Sequence, residues 1–190
     1  MAVYSGTADV DVLSNYTGSD DKFVGHGDND NIVGGGGNDL IIGGAGEDRL
    51  VGGRGDDILK AGLGDDYLGG GSGDDLLLGL YGNNHMNGGL DNDVLVAGSG
   101  DNVLIGGQGA DKFIFTDKFD GHGTAKVVDF TIGEDTVRID SATIHSLDDL
   151  SVSYDAVGNL VLSDGGAFTV KLIGVTEADF VAHADDMFQF

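Results

Sequence analysis

Between Tyr16 and Ile114 the chain repeats itself every nine residues without a break. Read from Gly34, the pattern Gly-Gly-x-Gly-x-Asp-x-apolar-x returns at Gly43, Gly52, Ala61, Gly70, Gly79, Gly88, Ala97 and Gly106, with looser copies opening at Tyr16 and Gly25. The sixth place is held by Asp21, Asp30, Asp39, Asp48, Asp57, Asp66, Asp75, Asn84, Asp93, Asn102 and Asp111, and the eighth by Phe23, Ile32, Ile41, Leu50, Leu59, Leu68, Leu77, Met86, Leu95, Leu104 and Phe113. A short fixed period of this kind marks a solenoid in which stacked units share one core.

Glycine at this density excludes helices over the repeats. Six turn-prone residues followed by three of strand character predict a strand-turn-strand-turn spiral. If the eighth residue points inward, places seven and nine point outward, and successive units must lie on opposite sides for one spiral to bury every apolar residue. One coil therefore takes two units, and units two apart stack at the sheet spacing of about 4.8 Å.

That stacking brings acids together. The chain has 33 Asp and Glu against 9 Lys and Arg, a formal charge of −24, which disfavours nucleic acid and anionic membranes as partners and favours cations. Carboxylates about 5 Å apart repel by about 3 kcal/mol per pair at an effective dielectric near 20, so the metal-free chain is expected to be largely disordered. A divalent ion between turns reverses the sign. Calcium suits the site, because it accepts six to eight hard oxygen ligands in tolerant geometry and Gly-rich turns expose carbonyls beside each Asp. Zinc would want His or Cys, and there is no Cys. Even a weak site of about 10⁻⁴ to 10⁻³ M contributes about 4 to 5.5 kcal/mol per ion.

The unit resembles the calcium-binding nonapeptide of RTX (repeats-in-toxin) proteins, with complete copies over Gly34–Asp39, Gly43–Asp48, Gly52–Asp57 and Gly70–Asp75. The resemblance implies an all-β parallel β-roll with calcium between turns, each ion held by Asp side chains and loop carbonyls of units two apart. The ligands so implied are the carboxylates of Asp21, Asp30, Asp39, Asp48, Asp57, Asp66, Asp75, Asp93 and Asp111, with backbone groups of Gly34, Gly36, Gly43, Gly52 and Gly70.

Residues 6–14 read as a degenerate copy with Asp11 and Leu13 in the sixth and eighth places, shifted by one at Asn15, so residues 1–15 are expected to form an N-terminal cap. After the roll of residues 16–114, residues 115–190 are expected to form a β-rich C-terminal cap. Strands are predicted over 113–115, 125–130, 135–139, 159–162 and 168–173, with a short helix over 176–182 capped by Thr176. Gly109–Phe115 and Asp129–Asp135 are similar to the junction and cap that follow rolls in serralysin-type proteases and mannuronan epimerase modules. Asp129 and Asp135 then either hold a further calcium or cap a turn. Asp185–Phe190 resembles the acidic-then-apolar end of substrates of ABC exporters (type I secretion), and is equally compatible with a last strand packing Phe188 and Phe190.

Met1–Gly6 has neither a basic region nor an apolar core, and no run reaches a membrane-span length, so export would use another signal. No His-Glu-x-x-His or Gly-x-Ser-x-Gly occurs. His26, His85, His122, His145 and His183 are scattered as solvated positions, so the chain is expected not to be an enzyme. The reading is a calcium-binding module of a secreted, extracellular or cell-surface protein, serving scaffold, adhesion or export. The alternative is a polysaccharide-binding module assisting an enzyme on an acidic glycan such as alginate, with Arg49, Arg54, Lys60, Lys112 and Lys126 as its basic patch.

Two finer expectations follow from the register. The row of Asp21, Asp39, Asp57, Asp75, Asp93 and Asp111 is fully charged, whereas the row of Asp30, Asp48 and Asp66 ends in Asn84 and Asn102, whose gap should lack calcium. Outward residues Leu40, Ile42, Ile58, Leu76, Leu78, Val94 and Val96 form an apolar stripe that needs a cover, either the C-terminal segment folding back or, preferred, a second copy in a homodimer.

Overall fold

A computed structural model describes residues 1–116, 123–166 and 168–190. The strands up to mid-roll are β1 (Val3–Ser5), β2 (Val12–Ser14), β3 (Lys22–Gly27), β4 (Asn31–Gly36), β5 (Leu40–Ala45), β6 (Arg49–Arg54), β7 (Ile58–Leu63) and β8 (Tyr67–Ser72). Next come β9 (Leu76–Gly79), β10 (His85–Leu90), β11 (Val94–Ala97), β12 (Asn102–Gln108), β13 (Lys112–Thr116), β14 (Gly123–Val127) and β15 (Thr136–Asp140). The chain ends with β16 (Ser151–Tyr154), β17 (Leu160–Ser163), β18 (Phe168–Leu172), the helix α1 (Glu177–Met187) and β19 (Phe188–Gln189).

Successive strands alternate between two sheets. Odd strands β1 to β15 build one parallel sheet, closed by β19, and even strands β2 to β14 build the other, extended by β18, β17 and β16. The protein is thus all-β, a parallel β-roll with a C-terminal β-rich cap. Inside the roll each strand pairs eighteen residues on, as Leu40 does with Ile58 and Arg49 with Tyr67. The eleven eighth-place side chains, Phe23 through Phe113, are all fully buried between the sheets.

The strands are longer than the sequence pattern suggests. Most run six residues, from place seven of one unit through place three of the next, leaving only places four to six as turn. Glycine makes this possible. Gly44 and Gly46 have φ of 130° and 131°, and a Cβ on either would collide with the carbonyl of His26 or Asp28 in the coil beneath. Close coil stacking therefore fixes glycine at places two and four.

The period changes at both ends. Val3 pairs with Lys22 and Val12 with Asn31, one residue more than in the roll, matching the shift at Asn15. At the other end Asn102 pairs with Ala125 and Lys112 with Thr136, so coiling continues past the repeats through longer connections. There β16, β17 and β18 form an antiparallel meander whose Leu160, Leu162, Val170 and Leu172 are fully buried. The strand β16 and the preceding 3-10 turn Leu147–Asp149 have no counterpart in the sequence reading.

Helix α1 starts as expected, Thr176 accepting from the Asp179 N–H while the Asp179 carboxylate accepts from the Thr176 N–H, but runs five residues further to the buried Met187. Phe188 is buried in β19, whereas Phe190 is exposed, so only one of the two terminal aromatics packs. Among the described residues, α1 and β19 lie beside β15 and do not reach the apolar stripe. That correction removes one of the two covers, because the cap is spent in closing the last coil. Leu40, Ile42, Leu76, Leu78, Val94 and Val96 are half-buried by their ladder neighbours, and Ile58 is exposed.

Candidate calcium sites

The sixth-place side chains line both edges of the roll, one row for each side. All eleven are buried, with 3% exposure or less. Each roll carboxylate uses one oxygen to clip the coil before it: Asp39 Oδ1 accepts from the Asp21 N–H (2.7 Å), Asp57 from Asp39 (2.7 Å), Asp75 from Asp57 (2.7 Å) and Asp93 from Asp75 (2.9 Å). The second row does the same, Asp48 accepting from Asp30 and Asp66 from Asp48, both at 2.8 Å. Fifth-place side chains clip the other way, as where Asp56 Oδ1 accepts from the Asp74 N–H (3.0 Å) and Asp65 Oδ1 from Asn83 (2.7 Å). The acid pairs at places five and six are therefore opposed clamps between coils.

The second oxygen is left over. Among the described residues, Oδ2 of Asp30, Asp39, Asp48, Asp57, Asp66, Asp75 and Asp93 is buried without a hydrogen-bond partner. An unsatisfied buried anion is strongly unfavourable. Desolvation, and then neighbouring acids, push the Asp57 carboxyl up to about 7 and that of Asp93 up to about 8 despite their backbone hydrogen bonds. Asp66, Asp75 and Asp111 rise to about 6 for the same leading reason, and Asp30, Asp39 and Asp48 rise as well.

Gly34, Gly43, Gly52 and Gly70, at place one, make room for these acids: a Cβ on any of them would strike the Oδ2 of Asp39, Asp48, Asp57 or Asp75. Gly36, at place three, faces no carboxylate: a Cβ there would come nearest the Thr17 carbonyl oxygen, at 3.3 Å. The donor set fits calcium at these seven turns, since each holds an anionic oxygen lacking a partner beside the hard oxygens of turn carbonyls. Among the described residues no three His, Asp or Glu side chains cluster as a metal site. When bound, the ion would neutralise the orphaned oxygens and tie neighbouring coils together.

The ends of the rows differ. Both oxygens of Asp21 are engaged, by the Ala2 N–H and by Ser19 (2.9 Å) and Asn15, and the backbone bond to Ala2 leads in lowering its pKa. Asp129 spends its two oxygens on the N–H groups of Gly106 and Gly107 in β12, each 2.9 Å, a clip onto the neighbouring coil. Asp135 takes the sixth-place role toward the Asp111 N–H (2.9 Å), but its other oxygen accepts from the Thr131 N–H (2.7 Å).

Residues 16–50, 42–77 and 78–113 match the family model of the RTX calcium-binding nonapeptide repeat, together spanning more than half of the chain. The chain belongs to the RTX calcium-binding repeat family. No curated protein sequence matches it significantly. Among solved structures it is similar to the extracellular lipase LipA from Serratia marcescens, at 18% identity with a TM-score of 0.46, covering 97% of this chain and 39% of the lipase. This RTX chain thus spans well under half the length of that protein.

The histidines do not assemble. His26, His85, His145 and His183 are exposed and far apart in the coil order, and His122 lies outside the described residues. Nor does the basic patch assemble: Lys60 and Lys112 lie on the odd-strand sheet, whereas Arg49, Arg54 and Lys126 lie on the other. Alternation of units between sheets separates them. Arg49 instead stacks on Tyr67, which stacks on His85, with 5.3 Å separations. No helix is long and apolar enough to cross a membrane among the described residues.

Proposed function

We propose that the chain is a calcium-triggered folding and scaffold module of a secreted protein. Seven buried, partnerless carboxylate oxygens in register carry this reading, because a stack of desolvated anions persists at neutral pH only with cations between its layers. Where extracellular calcium is abundant the ions rigidify the roll, and in its absence repulsion keeps the chain open. Openness suits export: Met187 and Phe188 are buried in the folded protein, so an ABC exporter reading Asp185–Phe190 would meet them before folding. The roll then serves as a rod presenting or stabilising what it is joined to.

The test is circular dichroism of chelated protein titrated with calcium and, separately, with magnesium. Calcium should raise β-sheet signal cooperatively with a midpoint of about 10⁻⁴ to 10⁻³ M, and magnesium should do far less. A β-rich spectrum indifferent to strong chelation would sink the proposal.

A further inference from the structure

Asn84 and Asn102 hold the sixth place in consecutive units of the second row, directly after Asp66. Their Oδ1 atoms do what Asp Oδ1 does elsewhere, accepting from the N–H of Asp66 (3.1 Å) and of Asn84 (2.9 Å). That bond fixes which way each amide faces, since turning it over would set an NH₂ against the neighbouring coil's N–H. Nδ2 is therefore aimed where an acid would aim its orphaned Oδ2. At Asn84 it donates to the carbonyls of Tyr81 (3.0 Å) and Gly82 (3.3 Å), and at Asn102 to those of Gly98 (3.4 Å), Ser99 (3.3 Å) and Gly100 (3.2 Å). Both side chains are buried, and neither leaves an atom unsatisfied among the described residues.

The amide hydrogens thus engage the turn carbonyls that the Asp units hold out for an ion. A cation entering either turn would meet these hydrogens and would have to displace a satisfied buried network. We propose that Asn84 and Asn102 are metal-free clasps, in which the side-chain amide substitutes for the calcium of the Asp turns. Calcium in the second row accordingly ends at the Asp66 turn, while the first row continues through Asp75 to Asp93. The clasped coils adjoin β14 and the cap, so the end of the roll nearest the cap closes with fewer ions than the rest and offers the other coils a template. The proposal rests on the reading that the Asp turns bind calcium.

Anomalous scattering from crystals of the intact protein grown with calcium tests it directly. Peaks are expected at the Asp turns of both rows and none at the Asn84 or Asn102 turns. A calcium peak coordinated by either Asn overturns the proposal while leaving the calcium reading intact; no calcium at any turn removes that reading and this proposal with it.

In solution, Asn84→Asp with Asn102→Asp should bind about one further calcium per chain or more, counted by elemental analysis of the folded protein after removal of free metal, and should need more calcium to fold. An unchanged count in a folded double variant contradicts the proposal. The reverse variant guards against misfolding: Asp66→Asn should lose calcium yet reach the wild-type dichroism spectrum at saturating calcium, and full retention of the ions would contradict the clasp.

Discussion

In the roll one residue in nine reaches the core as a large apolar side chain, and the acids beside it are buried with an oxygen to spare. In the cap, Val127, Val137, Leu160, Leu162, Val170, Leu172 and Val175 crowd together, and Asp155 and Asp179 are only half-buried and have partners. Asp155 pairs with Lys171 and accepts from Asn159 (2.9 Å), and Asp179 caps α1. The same residue type behaves in opposite ways at these positions and at the partnerless positions of the roll. The Lys171 ammonium holds Asp155 well below the usual carboxylate range, and hydrogen bonds from Thr176 lower Asp179, whereas desolvation drives Asp57 and Asp93 upward. The two regions share continuous sheets, so on the proposed function what differs is the source of stability: apolar burial in the cap, and cation binding between coils in the roll.

The largest effect should come from removing roll carboxylates. Asp57→Ala with Asp75→Ala takes anionic ligands from adjacent turns, and each ion lost forfeits about 4 to 5.5 kcal/mol. The calcium midpoint for folding, read by dichroism, should rise by about tenfold or more. A midpoint left in place would mean that the acids do not hold the ions.

Core truncation in the cap should behave differently. Leu162→Ala is expected to cost about 2–5 kcal/mol, seen as a lower urea midpoint at saturating calcium that further calcium does not restore. Smaller again is Thr176→Ala, which removes the N-cap of α1 and should cost about 1 kcal/mol, with the calcium midpoint essentially unmoved. A large calcium-dependent loss from either variant would blur the division between regions.

Acid should weakly imitate calcium. In chelator, the sixth-place acids from Asp30 to Asp111 have folded-state pKa values raised above the usual carboxylate value near 4, so the folded form binds more protons. Their contribution is therefore favourable below that value and is lost as pH rises through about 6 to 8. Acidification from pH 8 to 5 should recover part of the β-sheet signal without metal. Below pH 4 the trend should reverse, because Asp155 and Asp179 lose the stability their lowered pKa values provide.

The roll was largely legible in the sequence because its physics is local and repeated. The fixed period placed Phe23 through Phe113 inside, stacked Asp39 on Asp57, and located the shift at Asn15. What local pattern could not show was glycine at place two lying within a strand and at place four opening the turn, since their positive φ is demanded by a neighbouring coil. His26, Asp28 and Asp91 adopt such angles without being glycine, which the repeat alone does not explain. The separation of Lys60 from Arg49 follows from the alternation of units, and was there to be read. In the cap no period exists, so the sequence does not show β16 and predicts α1 shorter than it is. Asn84 and Asn102 carried a visible signal, an amide standing where the repeat wants an acid, but their bonding depends on the Asp66 and Asn84 N–H groups of the adjoining coils.

Hydrogen exchange read by mass spectrometry, on the intact protein with calcium and in chelator at neutral pH, separates the two sources of stability most directly. With calcium, amides over 22–111 should be protected throughout both sheets. In chelator, protection should vanish across the Asp turns of residues 28–75 and fall least over 160–172. A roll as well protected in chelator as in calcium would contradict the dependence of its buried acids on bound cations.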